Sequence, residues 1–293
     1  MFTCRVLLAL LVLACALPAS AQLAVHDFAL TACGAREPLF RSGLEAAEQP
    51  GVRASGGASD TAPGAGLVQV VVPDNGRMHR GYLQVPPSYS PQTAAPLVLV
   101  LHGAAGSPAA ADEFAGLFRD FWANDAAVLG AVVLAPVASG NSGGWVPALD
   151  GPAIACLLAE AERLLNIDRS RRYLWGFSAG AHYAHALALG NAQRIAAYSV
   201  KAGAMAALAC SPYSGVAACA NVLQSASRRI PVQLRVGTSD PLQPQTTADL
   251  QSLQTAGWLL ATDLEATSTP GGHEVLFEDA SAARAWFAGR ALP

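Results

Sequence analysis

Charge is scarce in this sequence, and lysine is almost absent. Charged residues fill 13% of the 293 positions, Lys201 is the only lysine, and the formal net charge is −3. No basic stripe exists to follow a phosphate backbone, which excludes nucleic acid as a partner. Histidine, cysteine and aspartate are nowhere clustered at ligand spacing, so neither a metal nor another cofactor is expected. An internal repeat is also missing. Beyond residues 1–21 no apolar run is long enough to span a bilayer.

The apolar segment that does exist lies at the start. Arg5 gives a small positive region, Val6 to Leu17 an apolar one, and Ala19-Ser20-Ala21 a small-residue cleavage motif before Gln22. This is the pattern of a secretory signal peptide, and it predicts a secreted or periplasmic protein with no stable membrane anchor. A lipoprotein signal would need a cysteine at the cleavage point. Cys15 sits inside the apolar region and Cys33 follows the polar His26-Asp27, so neither fits. Removing residues 1–21 leaves Cys33, Cys156, Cys210 and Cys219, an even set in an oxidising compartment with three possible pairings. Cys210 and Cys219 enclose a short loop containing Pro212 and Gly215 and are the expected bridge. Cys156 either pairs with Cys33 or is a buried thiol in an apolar helix.

Hydrophobic residues make up 52% of the chain, enough for one large core, and the length suits a single α/β domain. Residues 22–66 keep no period and end in a Gly/Ala/Ser-rich run, Ala54 to Gly64. They read as an N-terminal arm or linker, poorly structured in part, ahead of a domain over 67–293. Leu67–Val72 and Met78–Val85 are predicted strands joined by Pro73-Asp74-Asn75-Gly76, a hairpin signal. Pro96–Leu101 is an unbroken apolar run, as a strand buried on both faces requires.

A helix then carries Phe114, Leu117, Phe118, Phe121 and Trp122, with Asp112 and Glu113 in its first turn. Ala131–Ala135 is the next strand, Pro136 to Asp150 a long loop, and Asp150 the cap of a helix to about Leu165. Further strands fall at Tyr173–Trp175, Ala197–Val200, Val232–Val236 and Trp258–Leu264. Helices fall at Ala181–Leu189, Thr246–Ala256 and Ala280–Ala288. The alternation predicts a mostly parallel, twisted sheet with helices on both faces and an antiparallel N-terminal hairpin.

Within this pattern stands Gly176-Phe177-Ser178-Ala179-Gly180, preceded by strand and followed by helix. A serine on so sharp a turn leaves no room for side chains two residues before and after it. Its hydroxyl then stands clear at the positive end of the helix dipole. A hydroxyl needs a base, and the base needs an orienting acid. His273, in Pro270-Gly271-Gly272-His273-Glu274, is the only histidine beyond the elbow helix. His26 and His79 precede the sheet, and His182 and His185 lie on the elbow helix itself. Asp240, in Gly237-Thr238-Ser239-Asp240-Pro241, follows a strand at the carboxyl edge and is the preferred acid over Asp249 and Asp263. The alternative for Asp240 is a turn residue before proline.

Acyl transfer also needs donors for an oxyanion. The N–H of Ala179 is one, and the N–H of Ala104, in the loop opened by His102-Gly103, is the second. His102 braces that loop or packs beneath it. Trp145, after Ser142-Gly143-Gly144, is expected at the wall of a substrate pocket or packed under its own loop.

These residues carry a resemblance. His102-Gly103, Gly176 to Gly180, Asp240 and Gly272-His273 resemble the α/β-hydrolase superfamily, over roughly Leu67 to the end. Within it, Ile167-Asp168 to Gly180 resembles the secreted esterases related to polyhydroxybutyrate depolymerases and feruloyl esterases. The resemblance implies an α/β-hydrolase fold and a serine hydrolase acting on small or polymeric carboxylic esters. Ala181, where that branch often has a further glycine, and the alanine-rich loop after Gly103 leave the chemistry intact but weaken the case for a polymer. A peptidase or amidase with the same residues, or a catalytically silent domain used for binding, are the alternatives.

Overall fold

The computed structural model describes residues 26–27, 31–32, 53–57, 63–72, 76–210 and 219–293. Its sheet has eight main strands: β1 (Gly64–Val71), β2 (Met78–Val85), β3 (Ala95–Leu101), β4 (Val132–Pro136), β5 (Ile167–Phe177), β6 (Ala197–Lys201), β7 (Val232–Gly237) and β8 (Leu264–Thr269). Their spatial order is β1-β2-β4-β3-β5-β6-β7-β8. β1 pairs antiparallel with β2, and β2 with β4, while every later neighbour is parallel. The predicted hairpin is therefore present, with Pro73-Asp74-Asn75 outside the described residues. Two short strands, His26–Asp27 and Thr31–Ala32, pair parallel with β1.

Every residue of β3 and β4 is buried, because helices cover both faces. α1 (Pro108–Leu129) and α6 (Phe277–Phe287) cover one face, around Trp122, Trp175 and Phe287. α2 (Pro147–Leu164), α3 (Ala179–Gly190), α4 (Cys219–Ser225) and α5 (Gln243–Thr255) cover the other. A core truncation such as Leu99→Ala should cost about 2–5 kcal/mol. Within the expected N-terminal arm, Ala54 bridges Asp168, and Ser55 Oγ donates to Leu165 O at 2.7 Å and accepts from Ile167 N at 2.8 Å.

Three local expectations are corrected. α1 starts at Pro108, with Ser107 Oγ accepting from Ala110 N as its cap, so Asp112 lies past the first turn and pairs with Arg80 at 3.1 Å. α2 starts at Pro147, and Asp150 sits inside it rather than capping it. The last strand is Leu264–Thr269, not Trp258–Leu264. Trp258 is buried and donates Nε1–H to Ile230 O, while Ala261 has a φ of 62°, which no strand tolerates. The apolar Trp258-Leu259-Leu260 run is a loop with an isolated bridge from Leu260 to Leu264. Its β-like composition comes from one buried tryptophan and two exposed leucines.

Cys210 and Cys219 are bridged, nine residues apart. Cys156 is disulfide-bonded rather than a free thiol. Cys33, its proposed partner, lies outside the described residues.

Candidate active site

The turn between β5 and α3 places Ser178 at φ 53°, ψ −119°, a region few non-glycine residues occupy. A Cβ at Gly176 would strike the Gly180 carbonyl, and one at Gly180 would strike the carbonyls of Leu101 and His102. Both glycines are therefore required by backbone contact. Ser178 N donates to Lys201 O at 3.0 Å, tying the turn to the end of β6.

His273 and Asp240 come from the next loops along the same sheet edge. Ser178 Oγ lies 2.8 Å from His273 Nε2, and His273 Nδ1 lies 3.0 and 3.1 Å from the two Asp240 oxygens. An ionised Asp240 accepts from Nδ1–H, which leaves the Nε2 lone pair to accept from the serine hydroxyl. Asp240 Oδ1 also accepts from Leu242 N at 2.8 Å, so backbone holds the carboxylate in place. The two loops are joined directly: Thr238 N donates to Thr269 O and Ser239 N to Gly271 O. Gly237 permits this, because a Cβ there would strike the carbonyls of Gly271 and Gly272. The Asp240 side chain is fully buried while that of His273 is 35% exposed, so solvent reaches the imidazole and not the carboxylate. Asp263 accepts from Leu259 N and pairs with Arg229, away from this chain of contacts.

The loop after β3 passes over the serine. A Cβ on Gly103 would lie 3.4 Å from Ser178 Cβ and 3.1 Å from the Phe177 ring. The Ala104 residue beside it is exposed, and its N–H has no hydrogen-bond partner among the described residues. Ala179 N–H opens α3, where no carbonyl of the preceding turn is available to it.

His102 is buried beneath this loop. Its Nδ1–H donates to Gly103 O at 2.7 Å, and its Nε2 accepts from Ala138 N at 3.3 Å. Burial lowers its pKa and keeps the ring neutral, as an accepting Nε2 requires. Trp145 donates Nε1–H to His102 O at 2.8 Å and packs between the rings of His102 and Tyr183, remaining half-exposed. Its own loop is held by Asp150, which accepts from Ser139 N at 2.9 Å and Val146 N at 2.5 Å. Burial pushes that carboxyl up to about 6.

The structure adds residues that sequence reasoning passed over. His182 Nδ1 accepts from Ala204 N at 2.8 Å, which leaves the proton on Nε2, and burial lowers its pKa. Asp249 accepts from Met205 N at 2.9 Å and lies 3.8 Å from the buried His185. Burial raises Asp249 to about 7 and lowers His185 to about 3. These groups fasten the loop that continues from Lys201. Lys201 itself is buried 3.4 Å from Asp279, which also pairs with Arg235 at 2.9 Å and accepts from Leu276 N, three residues past His273. A lone lysine at the end of a strand was the one available hint.

Neither a family model nor a curated protein matches the sequence. Solved structures do match. A ferulic acid esterase aligns over 77% of this chain and 96% of its own, at 15% identity and a TM-score of 0.58. An S-formylglutathione hydrolase from Agrobacterium tumefaciens aligns over 80% and 99%, at 19% identity and a TM-score of 0.56. The chain has the α/β-hydrolase fold. A fluorophosphonate-binding serine hydrolase from Staphylococcus aureus shares it, over 77% of this chain and 98% of its own, at 15% identity and a TM-score of 0.55. In this fold the loops after β3, β5, β7 and β8 meet at the carboxyl ends of the strands, where open α/β sheets bind ligands.

Proposed function

We propose that this protein is a secreted serine hydrolase that cleaves carboxylic esters through an acyl-enzyme on Ser178. The observation that carries the reading is the continuous contact from Ser178 Oγ through His273 to buried Asp240, at 2.8 and 3.0 Å. His273 Nε2 takes the hydroxyl proton as Oγ attacks the ester carbonyl, and Asp240 orients the ring and stabilises the imidazolium. The N–H groups of Ala179 and Ala104 receive the oxyanion. Such a donor is worth about a hundred- to a thousandfold in rate. His273 then protonates the departing alcohol, and water repeats the sequence to free the acid. The sequence of steps closes without a cofactor or metal.

Secretion is supported by the signal-peptide pattern of residues 1–21 and by the Cys210–Cys219 bridge. No described helix is long and apolar enough to cross a membrane. An ester substrate is favoured by the fold neighbours, among them the ferulic acid esterase and the S-formylglutathione hydrolase.

The test is a fluorophosphonate probe followed by a hydrolysis panel of aryl esters, feruloyl esters, polyester film and peptides, each with a Ser178→Ala control. Labelling at Ser178 with ester turnover is the expected result. An unlabelled folded protein points to a silent domain, and faster cleavage of peptides than of esters points to a peptidase.

A further inference from the structure

α1 carries more apolar surface than its core face uses. Ala111, Ala115, Trp122 and Ala126 are buried against the sheet, whereas Phe114 and Phe121 are half-buried and Leu117 is 61% exposed. With Phe118 they sit at helical i, i+3, i+4 and i+7 spacing, and so share one flank. Phe277, 85% exposed at the start of α6, continues that flank by stacking on Phe121 at 6.3 Å. Phe118 contacts Phe121 at 6.1 Å and stacks on Phe177 at 6.1 Å, and Phe177 lies 5.1 Å from the His273 ring. Rings therefore touch one another from His273 out to Phe277. On α1 and α6 Arg119 pairs with Asp120 and Arg284 with Asp125. The net charge left beside the rings comes from two exposed acids, Glu113 and Glu278, and would repel an anionic rather than a neutral chain. A contiguous exposed apolar patch on a globular protein marks a binding surface.

We propose that this aromatic flank is a specificity site for the alcohol arm of the ester. It accepts a neutral, extended apolar chain that runs from the scissile bond over Phe177 towards Phe277. The proposal rests on the esterase reading and adds the class of alcohol. Its side follows from the chemistry. When the tetrahedral intermediate collapses, the carbon–oxygen bond to the alcohol breaks and the electron pair stays on that oxygen. The same oxygen takes the proton held on His273 Nε2, giving a neutral alcohol. The leaving oxygen must therefore sit at His273, where the row of rings begins. Because the surface is an open helix flank, it holds substrate by length of contact rather than by enclosure. Free esters of long alkyl or aryl alcohols gain from it, and ethyl esters do not reach it.

Two substrate series test this. One is acetates with alcohols from ethyl to decyl, and the other methyl esters with acyl groups from acetate to decanoate. Both are run on the wild type, Phe277→Ala, Leu117→Ala and a control, Leu260→Ala. Leu260 is 52% exposed and lies beside the opposite end of β8. In Phe277→Ala the decyl-to-ethyl ratio of kcat/KM among acetates should fall about two- to tenfold, the worth of one aromatic contact. Leu117→Ala should show a smaller fall in that ratio, and the control none, while the methyl-ester series keeps its wild-type ratios throughout. An unchanged acetate ratio in Phe277→Ala overturns the proposal, as does a change confined to the acyl series. A uniform loss across substrates that tracks a lowered Tm assigns the rings to folding and overturns it equally. A wild type that hydrolyses no ester removes the esterase reading and this one together. Ester turnover indifferent to Phe277 removes this one alone.

Discussion

Ser178 occupies a backbone conformation that its neighbours impose, and its hydroxyl lies at hydrogen-bond distance from His273 Nε2. On the proposed mechanism Ser178→Ala and His273→Ala each lower kcat by several orders of magnitude, and the double variant loses little more, because the residues act as a unit. Asp240→Asn should lower kcat by about ten-thousandfold, by presenting the wrong imidazole tautomer. Asp263→Asn should leave turnover near wild type, since its oxygens serve Leu259 N and Arg229. Steady-state kinetics on p-nitrophenyl acetate decides all four, and a crippled Asp263→Asn beside an active Asp240→Asn would reassign the acid. Trp145 belongs to the same scale. Its bond to the His102 carbonyl makes it a brace of the loop bearing Ala104. Trp145→Phe keeps a ring but loses the N–H, and should lower kcat more than it changes KM across small and large esters alike. A loss confined to bulky esters would instead support Trp145 as a wall of the substrate pocket.

The loops at the carboxyl edge are held by buried carboxylates rather than by packing alone. Asp150 fastens the loop after β4, and Asp249 fastens the one after β6. Burial raises both, to about 6 and about 7. The folded state therefore binds these protons more tightly than the unfolded state. The cost of ionising them in the fold is absent below the usual carboxylate pKa of about 4, and it grows as pH rises through the folded values. Asp249→Asn removes that cost, so its Tm relative to wild type should improve as pH rises from roughly 5 to roughly 8. Thermal melts across that range check the sign, and a constant difference would show that Asp249 does not titrate there. Asp150→Ala leaves the N–H groups of Ser139 and Val146 without their acceptor. It should cost about 1–3 kcal/mol in stability for each group left unsatisfied.

For the whole molecule, the proposed export and the disulfides stand together. Protein recovered from an oxidising compartment should begin at Gln22 and show no free thiol at Cys156, Cys210 or Cys219 until reduced. Intact mass before and after alkylation reads both at once. Thiols at Cys210 and Cys219 in exported protein would contradict the bridge. Reduction of that bridge should cost about 2–3 kcal/mol, the loop-closure value for so short a segment.

The sequence by itself determined whatever depends on neighbours along the chain. Gly176 is dictated by contacts within its own turn, whereas Gly180 is dictated by the carbonyls of Leu101 and His102 and was legible only through the turn's sequence pattern. The apolar runs of β3 and β4 are dictated by burial on both faces. These runs were legible, and the alternation of strands and helices led to the parallel sheet. Asp240 and His273 were reachable because each directly follows a strand, and parallel strands bring their carboxyl ends to one edge. What only the tertiary structure decided depends on residues distant in sequence. The start of β8 was misread because Trp258 is buried by β7's neighbourhood, not by a strand of its own. The anchoring of residues 202–205 by His182 and Asp249 joins three separate elements, none with a local signal. The phenylalanines of α1 read only as one helical stripe, since helical spacing says which residues share a face and nothing about what covers it. The packing of α6 beside α1, with Phe277 left in solvent, turned part of that stripe into surface.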